Sequence, residues 1–238
     1  MLRTIAWYSN FAGSLVLKIP QMYKVKRLQR KPDRQESIKY IHDVTSKWAR
    51  RNVKISGAKV NVFGEENIPE DTPVVFISNH QGNFDIALCM SYINKPKGYI
   101  AKIELKKLPV ISSWMEYMNC VFMDRSNIRK SAQAIIEGVK ILKGGHSLVI
   151  FPEGTRSKGG AVGEFKAGSF KLATKAKVPI IPITIDGSYK LMEQNKNKIK
   201  PAEVNLYIHP MIETKELSKE EQNELPEKVK NIICSKLK

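Results

Sequence analysis

Pro73-Val74-Val75-Phe76-Ile77-Ser78-Asn79-His80-Gln81-Gly82-Asn83-Phe84-Asp85 passes from an unbroken apolar run through a polar turn toward a helical pattern. A short apolar run without alternation fits a strand buried on both faces. His80 and Asp85 stand at its exit, and α/β folds gather functional groups beyond the carboxyl ends of their strands. Gly82 lets the turn between them close tightly. A carboxylate that holds one imidazole nitrogen leaves the other free to take a proton from a hydroxyl, and imidazole titrates near neutral pH. Alone, this pattern fits a structural histidine capping a turn better. It gains force from a second segment, Phe151-Pro152-Glu153-Gly154-Thr155-Arg156-Ser157, which also follows an apolar run.

Working outward from there, β-branched runs alternate with amphipathic stretches. Strands are expected at residues 59–63, 74–78, 98–102, 120–123, 147–151, 180–185 and 204–208. Helices are expected at 85–93, 108–118, 128–142, 168–176 and 219–237, with Ile128, Ala132, Ile135, Ile136, Val139 and Leu142 forming one stripe. The alternation predicts an α/β fold, a central and mostly buried sheet flanked by helices. It would occupy residues 55–238, with residues 1–54 set apart as an N-terminal two-helix motif. A length of 238 residues suits one such domain with an appendage.

The charge is uneven. The chain carries 40 Lys and Arg against 23 Asp and Glu, a net charge of +17. Residues 1–60 hold 14 of those cations against Asp33, Glu36 and Asp43, so most of the excess lies in the first quarter. Such a balance points to an anionic partner. The segment 5–19 is apolar but is interrupted by Ser9, Asn10 and Ser14, and is shorter than the ~20 residues a span requires. A basic stretch follows it, and a second helix is expected at 36–51 with Ile38, Ile41, Thr45 and Trp48 on one face.

Two helices joined by a basic turn suit a membrane interface. Trp7 and Phe11 would enter the acyl boundary while Lys24, Lys26 and Arg27 meet phosphate head groups. The expected location is therefore membrane-associated, on the cytoplasmic face, and interfacial rather than spanning. The same pattern also fits a helical hairpin packed on the core. No groove-reading motif accompanies the basic stretch, so nucleic acid is not expected. Cys89, Cys120 and Cys234 lack metal-ligand spacing, and no metal is expected.

Lys102, in Ala101-Lys102-Ile103-Glu104-Leu105, and Arg125, in Val121-Phe122-Met123-Asp124-Arg125, also follow strands. With Arg156 they would form a phosphate-sized site if those strands are neighbours. Gly145-His146-Ser147-Leu148-Val149 is one glycine short of a nucleophile elbow. Gly163-Glu164-Phe165-Lys166-Ala167-Gly168-Ser169 has serine where a Walker motif has its lysine. Neither is taken as a site.

In this order, the motifs resemble those of the glycerolipid acyltransferase family, the 1-acyl-sn-glycerol-3-phosphate acyltransferases, over about residues 55–210. Asn79-His80-x4-Asp85 is similar to its catalytic motif, Arg125 to a substrate-binding arginine, and Phe151 to Ser157 to a third motif. Val178-Pro179-Ile180-Ile181-Pro182-Ile183 is similar to a fourth, near the acyl site. The resemblance implies acyl transfer from a thioester to the 2-hydroxyl of lysophosphatidic acid, giving phosphatidic acid. His80 would be the base and Asp85 its support. Lys102, Arg125 and Arg156 would hold the phosphate, Glu153, Gly154 and Thr155 would shape the pocket, and Pro182 would lie at the acyl site. Backbone N–H groups near Gly82 would meet the oxyanion. No cofactor is implied, only an acyl carrier protein or coenzyme A thioester as co-substrate. Rival readings are glycerol-3-phosphate acylation, transfer between phospholipids, and a non-catalytic binder of anionic membranes or nucleic acid.

Overall fold

The computed structural model describes residues 1–237. Three helices lead the chain: α1 (Leu2–Val16), α2 (Ile19–Leu28) and α3 (Gln35–Ser56). The sheet follows, with β1 (Lys59–Phe63), β2 (Val75–Ser78), α4 (Phe84–Tyr92), β3 (Lys97–Lys102), α5 (Ile111–Tyr117) and β4 (Val121–Met123). It continues through α6 (Ile128–Lys143), β5 (Ser147–Ile150), α7 (Ala167–Ala176), β6 (Ile180–Asp186), β7 (Glu203–Ile208) and α8 (Lys219–Cys234). Helix ends carry the expected signals. Gly57 closes α3 in the left-handed region, the Asn127 side chain caps α6, and Ser218 with Glu221 forms a capping box on α8.

The seven strands form one sheet in the order β1-β7-β6-β2-β5-β3-β4. β6, β2, β5, β3 and β4 run parallel, while β7 is antiparallel to β6 and parallel to β1. Every residue of β2, β5 and β6 is buried, as the unbroken apolar runs predict. Successive side chains face opposite layers. Phe76 joins a cluster with Leu88 of α4 and Ile41, Val44 and Val53 of α3, whereas Val75 and Ile77 join one with residues of α6, α7 and α8.

The N-terminal segment departs from expectation in two ways. The basic stretch read as a turn contains a helix of its own, α2, which starts with Pro20 in its first turn and buries Val25 and Leu28. Trp7 does not face outward. Its indole lies among Phe11, Tyr8 and Phe84, and its Nε1 donates to the Asn52 carbonyl at 2.9 Å. Phe11 stacks on Trp7 and also meets Trp48. Both rings therefore fasten α1 to the rest of the chain. The outward apolar surface is made instead by Leu2, Ile5, Tyr8, Val16, Leu17, Ile19 and Tyr23. Lys24, Lys26 and Arg27 are exposed as expected, Lys24 lying over the Tyr40 ring. Among the described residues, no helix is long and apolar enough to cross a membrane.

Candidate active site

The parallel arrangement brings the carboxyl ends of β2, β3, β4, β5 and β6 to one edge of the sheet. His80 follows β2, Lys102 ends β3, Arg125 follows β4, and the segment Phe151 to Ser157 follows β5. The neighbourhood that the cations required is therefore present.

Asp85 lies fully buried in the first turn of α4. Its Oδ2 accepts from the amides of Gln81 and Gly82 at 2.6 and 2.8 Å and meets His80 Nδ1 at 2.6 Å. Its Oδ1 accepts from the Ser188 hydroxyl. Because that carboxylate accepts from the Gln81 and Gly82 amides and from Ser188, Nδ1 of His80 is the donor toward it, and Nε2 is the nitrogen not engaged by Asp85. The imidazole also stacks on Phe151, with centroids 4.4 Å apart. The His80 backbone is held as firmly: its N–H donates to Glu153 Oε1 at 2.7 Å, and its carbonyl accepts from the Ser157 amide at 2.8 Å. Asn79 pairs with both backbone groups of Ile185, and Gln81 Oε1 accepts from the Gly187 amide.

A family model described as acyltransferase matches residues 59–186. The crystal structure of a 1-acyl-sn-glycerophosphate (LPA) acyltransferase, PlsC, from Thermotoga maritima is 31% identical and superposes with a TM-score of 0.84, covering 98% of this chain and 92% of that one. The chain belongs to the acyltransferase family. A 1-acyl-sn-glycerol-3-phosphate acyltransferase of Borreliella burgdorferi is 32% identical over 77% of this chain and 73% of its own. A chloroplastic 1-acyl-sn-glycerol-3-phosphate acyltransferase of Arabidopsis thaliana is 36% identical over 73% of this chain and 49% of its own.

Within this acyltransferase, several expected site residues bond to neighbouring loops of the site itself. Glu153 gives one oxygen to the His80 amide and the other to the Gly163 amide at 2.9 Å, so it acts on the backbone. The amides of Gln81 and Gly82 are taken by Asp85 and that of Asn83 by Glu193 at 2.7 Å, which leaves none of the three for an oxyanion. Arg156 donates to Asn83 Oδ1 and lies 3.2 Å from Glu193 Oε1. Pro182 is buried within β6 opposite Ile77, and its carbonyl accepts from the His209 amide. Arg125 donates to the Gly154 carbonyl, Gly154 adopts a left-handed φ of 72°, and Lys102 and Thr155 are exposed on the rim.

Three contributors escaped the sequence reading. Ser188 follows β6, so the strand-end argument that selected the others applies to it as well. Glu193 sits on a short 3-10 turn 110 residues from Asn83, with no motif around it. Lys166 lies within the segment dismissed as a failed Walker motif, yet its Nζ stands beside Gly154. The other histidines are elsewhere. His42 meets Asn94, His146 the Met118 carbonyl and His209 Thr184, and burial lowers the pKa of all three.

Proposed function

We propose that this acyltransferase moves an acyl chain from a thioester to the 2-hydroxyl of 1-acylglycerol-3-phosphate, giving phosphatidic acid. The observation that carries the reading is the contact of His80 Nδ1 with the buried Asp85 carboxylate at 2.6 Å, which leaves Nε2 as the ring nitrogen available to a hydroxyl. His80 Nε2 removes the hydroxyl proton as the oxygen attacks the thioester carbonyl. Collapse of the tetrahedral intermediate expels the thiolate, which takes the proton back from the imidazolium. Asp85 stabilises that imidazolium through Nδ1. No acyl-enzyme is required.

Both acceptor and product carry acyl chains, so an enzyme resting on a bilayer can exchange them with the lipid phase. Leu2, Ile5, Tyr8, Val16, Leu17, Ile19 and Tyr23 offer an apolar face to the acyl boundary, while Lys24, Lys26 and Arg27 offer charge to anionic head groups. The net charge of +17 also suits an acidic carrier protein as donor beside coenzyme A. The deciding experiment supplies purified protein with labelled acyl-coenzyme A or acyl carrier protein, and with lysophosphatidic acid or glycerol-3-phosphate. Phosphatidic acid from wild type and not from His80→Ala supports the reading. Turnover of glycerol-3-phosphate alone would reassign the acceptor, and full activity of a folded His80→Ala would remove the base.

A further inference from the structure

We propose that the outer face of α6 and α7 is a docking surface for an acidic carrier protein that brings the acyl thioester to His80. This rests on the function proposed above and adds where the donor is received.

The helices cover the sheet in two layers. Trp7 of α1, Val25 of α2 and Ile41 of α3 share a cluster with Phe76, whereas Leu142 of α6, Leu172 of α7 and Val229 of α8 share one with Val75 and Ile77. Successive residues of β2 face opposite sides, so α1 and α2 lie on one side of the sheet and α6 and α7 on the other. A bilayer that receives the apolar face of α1 and α2 therefore leaves α6 and α7 to the aqueous phase.

On that side the charge is concentrated. α6 carries Arg129, Lys130, Lys140 and Lys143 against Glu137, and residues 166–177, which contain α7, carry four lysines and no acid. α8, the third helix of the layer, is mixed, with three lysines against four glutamates. Lys130 is paired with Asp124 at 3.2 Å. Arg129, Lys140, Lys143, Lys171, Lys175 and Lys177 are exposed, and among the described residues none of them stands within ion-pair distance of a carboxylate. The two helices approach closely enough to form one surface: a Cβ on Gly138 of α6 would stand 2.5 Å from Leu172 Cδ2 of α7.

Apolar area lies within this basic face. Ile128 is 89% exposed and Ile136 51%. With the exposed Ala132 they follow one another at four-residue spacing, and Lys140 continues the row. Apolar contacts ringed by cations fit an acidic protein surface, whereas a nucleic-acid backbone would use the cations alone. The row also begins where the site begins. α6 starts three residues after Arg125, at the carboxyl end of β4, which is the sheet edge that carries His80. A donor held along α6 can pass its thioester over the rim while the acceptor arrives from the bilayer on the other side.

Transfer to lysophosphatidic acid is measured with one acyl chain offered either on acyl carrier protein or on coenzyme A. The proteins are wild type, Lys140→Glu with Lys143→Glu, and Ile128→Ser with Ile136→Ser. Each double variant is expected to raise KM for the carrier-protein donor about tenfold. Both kinetic constants for acyl-coenzyme A should stay at wild-type values, which also shows that the variants are folded. Added salt should raise the wild-type KM for the carrier-protein donor more than that of the lysine variant. Lys219→Glu with Lys228→Glu, on α8, should change neither donor. An unchanged KM for the carrier-protein donor, or an equal loss with both donors, would overturn the assignment. So would weaker co-sedimentation of the α6 variants with anionic liposomes, which would give this face to the bilayer. Fluorescence anisotropy of labelled acyl carrier protein reads binding without turnover. If it binds wild type and not the variants, the docking surface stands even should no phosphatidic acid form. If phosphatidic acid forms from acyl-coenzyme A and the carrier protein does not bind, the surface falls and the function stands.

Discussion

The loop that carries His80 and the helix α1 are both fastened to the same sheet-and-helix body, but by opposite means. Around His80, directional bonds predominate: Asp85 gathers the nearby Gln81 and Gly82 amides, while Glu153 and Glu193 reach the His80 and Asn83 amides across 73 and 110 positions. Around α1, aromatic area predominates, with Trp7 against Phe11 and Phe84 and Phe11 against Trp48, together with two indole hydrogen bonds, from Trp7 Nε1 to the Asn52 carbonyl and from Trp48 Nε1 to the Ser14 hydroxyl. Directional bonds fix a proton's location to a fraction of an ångström, whereas apolar contact fixes only which faces meet. One region should fail when single atoms change and the other when volume is lost.

The sharpest break is His80→Ala, expected to lower kcat about 10²–10⁴-fold in the transfer assay while leaving the unfolding midpoint near wild type. Next is Trp7→Ala, expected to cost about 3 kcal/mol in denaturant unfolding with activity retained by the folded fraction. Leu2→Asp with Ile5→Asp should do the reverse, weakening co-sedimentation with anionic liposomes while leaving stability unchanged; unchanged co-sedimentation would place the membrane face elsewhere. Ser188→Ala removes one hydroxyl from Asp85 and should lower kcat about tenfold, the scale of one hydrogen bond to a charged group, with KM preserved.

The smallest effect concerns pH. Burial pushes the Lys97 ammonium from its ordinary 10.5 down to about 7, with its Nζ held by the carbonyls of Ile93 and Lys95. Between about pH 7 and 10.5 the unfolded chain binds this proton and the folded chain does not. Stability gained from Lys97 therefore rises with pH across that window and is lost as pH falls back through it. Lys97→Met should flatten the rise in melting temperature between pH 7 and 10 relative to wild type.

Much of this was legible in the chain. The seven strands were readable because the central ones are unbroken apolar runs, and the placing of His80 and Arg125 at one sheet edge because each follows a strand. What was not legible depended on direction or distance. The apolar residues of α1 lie on more than one face, so periodicity alone could not say that Trp7 turns inward and Ile5 outward. α2 was hidden because its charge resembles a loop, although Val25 and Leu28 supply a buried stripe. Glu153 and Arg156 were found as polar groups at the right place, but their partners, Gly163 and Glu193, are fixed only by the fold. Ser188 reaches Asp85 across 103 positions.

A Cβ at Gly82 would stand 2.6 Å from Glu193 Oε2, so any side chain there must displace that carboxylate. The consequence is one of portability. A protein engineer who grafts residues 79–85 onto another parallel sheet transfers only half a component. The matching half is the turn bearing Ser188 and Glu193, and the two must be moved together or redesigned together.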